Sequence, residues 1–290
     1  MGWRTVVISH SAKLDYQMGY MVVRADKKVR IHIDEIYMLM IETTAVSITA
    51  ALLSELAKRK VKVIFCDEKR NPSSELVSYY GSHDTSSKVK KQVTWTEADK
   101  GAVWTEIVTE KIRKQAEHLE SYGWDEAQML FSYLKEITFG DKTNREGHAA
   151  KVYFNALFGK DFTRTAEISI NAGLNYGYSI LLSAVNREIV SNGYITQLGL
   201  FHDNMFNQFN LGSDLMEPFR PIIDRKIKEM RIEKFEQDEK REIMRLFQNE
   251  VEISGKKEIL TNAIKIYCRS VFDALNDKDV SLIKFYNYEF

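Results

Sequence analysis

The chain has 290 residues, 44% of them apolar and 28% charged, with 3 Pro and 14 Gly. This is too long for one minimal core and too poor in Pro and Gly for long disordered or low-complexity tracts. Lys plus Arg number 41 and so do Asp plus Glu, which excludes a surface positive throughout but not a confined basic patch.

In chain order, the first predicted element is a strand in RTVVIS at 4–9. QMGYMVVRADKKVRIHI at 17–33 predicts two more strands around an Ala-Asp-Lys-Lys turn, and YMLMIE at 37–42 another. Val, Ile, Tyr and Thr dominate these runs. TTAVSITAALLSELAKRK at 43–60 changes period: a Thr cap precedes helically spaced apolar residues, and basic residues close the helix. VKVIFCDE at 61–68 returns to an extended buried run. Residues 81–95, GSHDTSSKVKKQVTW, show neither period and predict a linker.

Downstream, helical spacing recurs at 102–122, 124–137, 148–159 and 175–193, and in a charged run at 225–251 that predicts one long, partly exposed helix. The fold class is therefore α+β: a mostly antiparallel N-terminal β domain with one helix (1–80), a linker (81–95) and a larger all-α domain (96–290). No internal repeat of solenoid length appears.

No run of about 18 apolar residues occurs, and the first sixteen residues lack the charged-then-apolar layout of an export signal. Met1-Gly2 opens like an acylation signal, but Val6 stands where that signal needs Ser or Thr. A cytoplasmic protein without membrane contact is expected. Cys66 and Cys268 fit neither a disulfide framework nor a four-ligand zinc site, and Cys66 reads as a small buried residue. Walker, G-x-G-x-x-G and G-x-S-x-G signatures are missing. Basic clusters at 86–92 and 224–234 read first as solvated faces with interspersed acids, and a DNA-facing role stands second.

Chemistry concentrates in GLFHDNMFNQFNLGSDLMEPFRP at 199–221. Asp214 and Glu217 fit a capping box ahead of a helix, with His202 at a core edge. The same spacing also lets both carboxylates share a cation. Oxygen ligands favour Mg²⁺ or Mn²⁺, one imidazole tilts the preference toward Mn²⁺, and a third acid from elsewhere would complete an open site.

HDNMFNQFNLGSDLMEPFRP at 202–221, TNREGHAAKVYFNALFG at 143–159 and the helical run 171–202 resemble the CRISPR-associated spacer-acquisition integrases, the Cas-one family, most closely its type II-A members. By position the resemblance implies Glu146, His202 and Glu217 as catalytic metal ligands, His202 serving as ligand or proton acceptor. Asp214 stands as helix cap or accessory ligand. It further implies a Mg²⁺- or Mn²⁺-dependent endonuclease and integrase of antiviral defence, in which 3′-hydroxyls of spacer DNA attack the repeat. Its partners would be double-stranded and branched DNA, a second copy in a homodimer formed through the N-terminal domain, a Cas-two dimer bridging two such dimers, and other type II-A adaptation proteins. Two further readings stand beside it: a non-catalytic DNA-binding scaffold and a standalone repair nuclease. Candidate DNA contacts are Asn175, Tyr176, Tyr178 and Arg220, together with Lys226, Lys228 and Arg231, of which 228 and 231 would share a helix face.

Overall fold

The computed structural model describes residues 4–78 and 82–288. Eight strands and one helix form the N-terminal unit: β1 (Arg4–Ile8), β2 (Ala12–Gln17), β3 (Tyr20–Arg24), β4 (Lys28–His32), β5 (Ile36–Ile41), β6 (Val46–Ile48), α1 (Ala50–Lys58), β7 (Lys62–Cys66) and β8 (Pro72–Leu76). They make two four-stranded sheets, ordered β1-β5-β7-β8 and β4-β3-β2-β6. Met18 and Gly19, with φ of 47° and 89°, join β2 to β3. Two successive positive φ angles match the right-handed twist of a hairpin. The expected turn at 25–28 joins β3 to β4, and Thr49 caps α1 by accepting from the Leu52 amide at 3.3 Å.

Pairing is evenly mixed where mostly antiparallel pairing was expected: β1 with β5, β5 with β7 and β2 with β6 are parallel, and the other three pairs are antiparallel. The cause is α1 and the connection through the second sheet, which return the chain in the same direction. β5 is buried along its whole length. Met38 and Met40 enter the helical core, while Leu39 and Ile41 enter the core shared by both sheets and α1. A strand covered on both faces reads as an unbroken apolar run, as IYMLMI does. Cys66 is buried, and burial pushes its thiol up to about 12.

The remainder comprises α2 (Thr85–Val93), α3 (Glu97–Ser121), α4 (Glu126–Leu134), α5 (Arg145–Phe158), α6 (Ser169–Ser191), α7 (Asn210–Leu215), α8 (Arg220–Met230), α9 (Gln237–Leu246) and α10 (Leu260–Asp277). Strands β9 (Glu250–Ile253), β10 (Lys256–Ile259) and β11 (Tyr286–Asn287) complete it. This β-rich unit followed by a mainly helical one is the expected fold class. Three details differ. The segment read as a linker contains α2, whose Gln92 side chain is buried and donates to the Ile195 carbonyl at 2.9 Å. The nominally all-α part carries a three-stranded sheet, β10-β9-β11. The helix expected over 225–251 is two helices, because Arg231 takes a left-handed conformation, φ 48°, and ends α8.

α3 is the central rod. A reciprocal Thr96–Asp99 capping box starts it, and it packs against α4, α5, α8 and α10. α6 meets α8 across Gly177, where an added Cβ would lie 2.5 Å from Ile223 Cγ2. That close approach puts Tyr178 against Asp224, to which its hydroxyl donates. Gly177→Ala should lower stability to urea by about 1–3 kcal/mol through overpacking. In the Ile223→Ala background the same change should cost measurably less; strict additivity of the two would contradict the contact.

Candidate metal centre

Glu146 is the second residue of α5. Buried Asp141 accepts from the backbone N–H of Arg145 at 2.8 Å and of Glu146 at 3.0 Å, and Asn144 accepts from Gly147 at 3.3 Å. These acceptors satisfy the open amides of the first turn and fix where Glu146 points. Glu217 begins a 3₁₀ turn, Glu217–Phe219, between α7 and α8. Pro218 suits that start, and Tyr286 of β11 clamps the turn. Its hydroxyl donates to the Pro218 carbonyl at 2.9 Å, and its ring stacks on Phe219 at 4.7 Å. The small C-terminal sheet thus serves to hold Glu217.

The two glutamates converge on one cation, Lys111 of α3. Its ammonium donates to Glu146 Oε1 and lies against Glu217 Oε2. On its other oxygen Glu217 accepts from Arg220 Nε at 2.9 Å. Burial alone would push the Glu217 carboxyl upward; Arg220 and Lys111 outweigh it and hold Glu217 below the usual range. Burial likewise disfavours charge on Lys111, but Glu217 and Glu146 more than offset that and keep it an ammonium. Arg220 lies over the Tyr178 ring at 4.4 Å.

His202 approaches from the 198–206 loop. Asp214, fully buried in α7, organises that loop. Its Oδ2 accepts from the amides of Leu200 (2.6 Å) and Phe201 (3.1 Å), and its Oδ1 from the His202 amide (3.1 Å) and ring Nδ1 (2.6 Å). Gly199 permits this wrap, since a Cβ there would overlap the His202 carbonyl oxygen. With Nδ1 committed, Nε2 is the nitrogen turned to a ligand. The hydrogen bond to Asp214, reinforced by the charges of Asp214 and Glu217, raises the His202 pKa despite partial burial. Trp104 of α3 stacks on Phe201 at 4.6 Å with planes 2° apart, and meets the His202 ring edgewise at 6.0 Å. Trp104 and Lys111 are seven residues apart, hence on one face of α3, which forms the floor of the site.

Of the three residues the resemblance implies as ligands, Glu146 and Glu217 meet at Lys111, and His202 is near enough for its charge to act on Glu217. Asp214 makes no helix cap; its oxygens are spent on the loop. Several expected DNA contacts face inward instead. Tyr176 is buried, its hydroxyl on Met40 Sδ at 3.4 Å. Tyr178 is buried on Asp224. Lys226 pairs with Glu242 of α9 at 3.1 Å, and Lys228 donates to the Leu157 carbonyl over the Trp124 ring. Arg231 is exposed and closes α8 in a left-handed conformation, with its charge near enough to act on Lys228. Asn175 stays exposed, accepting from Arg164 at 2.8 Å. Lys111, Trp104 and Asp141 were invisible in sequence: each is an ordinary residue inside or before a helix, with no motif to mark it.

The donor set suits a hard divalent cation, two carboxylates and one imidazole nitrogen. Among the described residues no three His, Cys, Asp or Glu side chains already stand close enough to enclose an ion. The Lys111 ammonium stands between the two glutamates, so the gap already holds a cation. A cavity of about 300 Å³, lined by Gln92, Trp95, Lys100, Phe201 and His202, opens beside the imidazole. A larger groove, about 820 Å³ between β8 and α6, touches none of Glu146, His202 and Glu217.

This architecture recurs in solved structures. A Cas1 protein from Thermotoga maritima superposes with a TM-score of 0.77 at 16% identity over 94% of this chain and 97% of that one. A casposase bound to integration product superposes with a TM-score of 0.76 at 17% identity over 96% and 91%. The family model for CRISPR associated protein Cas1 matches residues 5–261, and the chain belongs to the Cas1 family. It is 36% identical over 226 residues to a CRISPR-associated endonuclease Cas1 of Neisseria meningitidis, covering 77% of this chain and 74% of that protein. No described helix is long and apolar enough to cross a membrane.

Because the folded His202 pKa lies above its unfolded value, near 6.5, the charge pairing with Asp214 stabilises fully below that value. It is lost as pH rises through the raised folded value. The stability deficit of His202→Ala against wild type, by urea titration, should therefore shrink between pH 6 and pH 9. A deficit that grows with pH would contradict the pairing.

Proposed function

We propose that the chain is a divalent-metal-dependent DNA integrase of CRISPR adaptation. It would join 3′-hydroxyls of spacer DNA to phosphodiesters of the repeat, with nuclease activity on branched DNA as the reverse or hydrolytic form. The observation that carries this reading is the convergence of Glu146 and Glu217, from separate elements, on one cation beside an imidazole whose Nδ1 is held by Asp214. The endonuclease name of the Neisseria relative and the integration product bound to the casposase support it.

Glu146, Glu217 and His202 would hold Mg²⁺ or Mn²⁺. When bound, the ion lowers the pKa of the attacking hydroxyl and stabilises charge on the scissile phosphate. Asp214 fixes the His202 tautomer, a task it performs equally well whether Nε2 serves as ligand or proton acceptor. We assign Asp214 to that positioning rather than to the ion. Arg220, a quarter exposed on the outer side of Glu217, is placed to meet a phosphate oxygen with the donors Glu217 leaves free.

Partners follow the same reading: a second copy of this chain, a Cas2 dimer bridging two such dimers, and the other type II-A adaptation proteins. A solved Cas6-RT-Cas1–Cas2 complex contains a chain of this fold, with a TM-score of 0.75.

Glu146→Gln and Glu217→Gln should each lower strand transfer by roughly a hundredfold or more in Mn²⁺, the loss of several kcal/mol of transition-state stabilisation. DNA binding at fixed salt should survive. Near-normal strand transfer by either purified variant would overturn its assignment as a metal ligand, and DNA binding without strand transfer by wild type would favour the scaffold reading.

A further inference from the structure

Lys111 sits where a bound cation has most to gain. Its side chain is 7% exposed, it reaches the site from the rigid interior of α3, and it touches the facing oxygens of Glu146 and Glu217 at once. Arg220 is differently placed: it holds the opposite oxygen of Glu217 and rests on Tyr178, outside the gap. The two glutamates and two bases balance. Adding a doubly charged ion to the gap while the ammonium remains would crowd four positive charges, from Lys111, Arg220 and the ion, around Glu217. Withdrawing the ammonium on its flexible four-carbon stem lets the ion take over its contacts without moving α3, α5 or the 217–219 turn.

We propose that Lys111 is a displaceable internal cation, which keeps Glu146 and Glu217 converged in the metal-free protein and leaves the space between them when the divalent ion binds. This rests on the metal reading above and adds a role for a residue outside the ligand set. Lys111 is a positioning residue in this scheme: it preserves the spacing of the ligands, keeps the buried Glu217 carboxylate and the half-buried Glu146 carboxylate from repelling one another, and sets a threshold for metal occupancy.

Mn²⁺ titration calorimetry on the full chain tests this, with melting temperature measured in chelator and in Mn²⁺. Lys111→Met should bind Mn²⁺ at least tenfold more tightly than wild type, melt lower in chelator, and gain more from Mn²⁺ than wild type does. A residue that merely props the fold would weaken metal binding on removal. Lys111→Arg keeps the charge, so it should fold like wild type, but its bidentate fork is harder to displace and Mn²⁺ should bind at least tenfold more weakly. Should Lys111→Met not fold, the Arg variant decides alone. Affinity equal to wild type in the variants that fold, or weaker in the Met variant, overturns the role of Lys111 and leaves the metal site standing. Absence of Mn²⁺ binding in wild type and variants alike overturns both.

Discussion

Keeping the Glu217 carboxylate charged inside the protein is the constraint on which the rest of the structure depends. A lone buried carboxylate costs several kcal/mol and escapes by taking a proton. Here it is offset from two sides, by Lys111 from α3 and Arg220 from α8. Each base must then be supported in turn: Lys111 by Glu146, and Arg220 by the face of Tyr178. The crossing of α3, α5 and α8 is therefore fixed electrostatically as well as by packing.

Asp224 shows the same principle with the opposite outcome. It is also buried, yet burial raises its carboxyl to about 7 despite the Tyr178 hydroxyl and the Arg220 charge. One turn along α8 separates it from Arg220, so the favourable positive charge is spent mainly on Glu217. Of two neighbouring buried acids, the one flanked by both bases stays ionised and suited to hold a cation. The other belongs to the packing between α6 and α8.

Charge balance across the chain acquires a local meaning. Lys226 and Lys228, which a sequence reader would place on a DNA-facing helix, are consumed by α9 and by the C-terminal end of α5. Lys240 is likewise spent inside, on the carbonyls of Lys69 and Arg70, and so ties α9 to the N-terminal unit. These three basic side chains fasten one element to another. A count of lysines in a segment cannot distinguish that use from a surface charge.

By itself the sequence determined what local chemistry writes down: the 3.6-residue period of the helices, the Thr49 cap, the turn at 25–28, the apolar run of β5, and the family resemblance that singled out Glu146, His202 and Glu217. Period and capping are properties of neighbouring residues, so a linear reading recovers them. It overran at Arg231, where a charged run continued without any Gly or Pro to announce the break. It missed β11, because two residues of strand make no pattern. Only the tertiary structure decided that Asp214 organises the His202 loop rather than capping a helix, that Tyr176 and Tyr178 face inward, and that Lys111 lies between two glutamates 35 and 106 residues further along the chain. Such contacts join groups with no relation in sequence spacing. They arise because burial forces each charge to find an opposite one, and packing alone determines which is within reach.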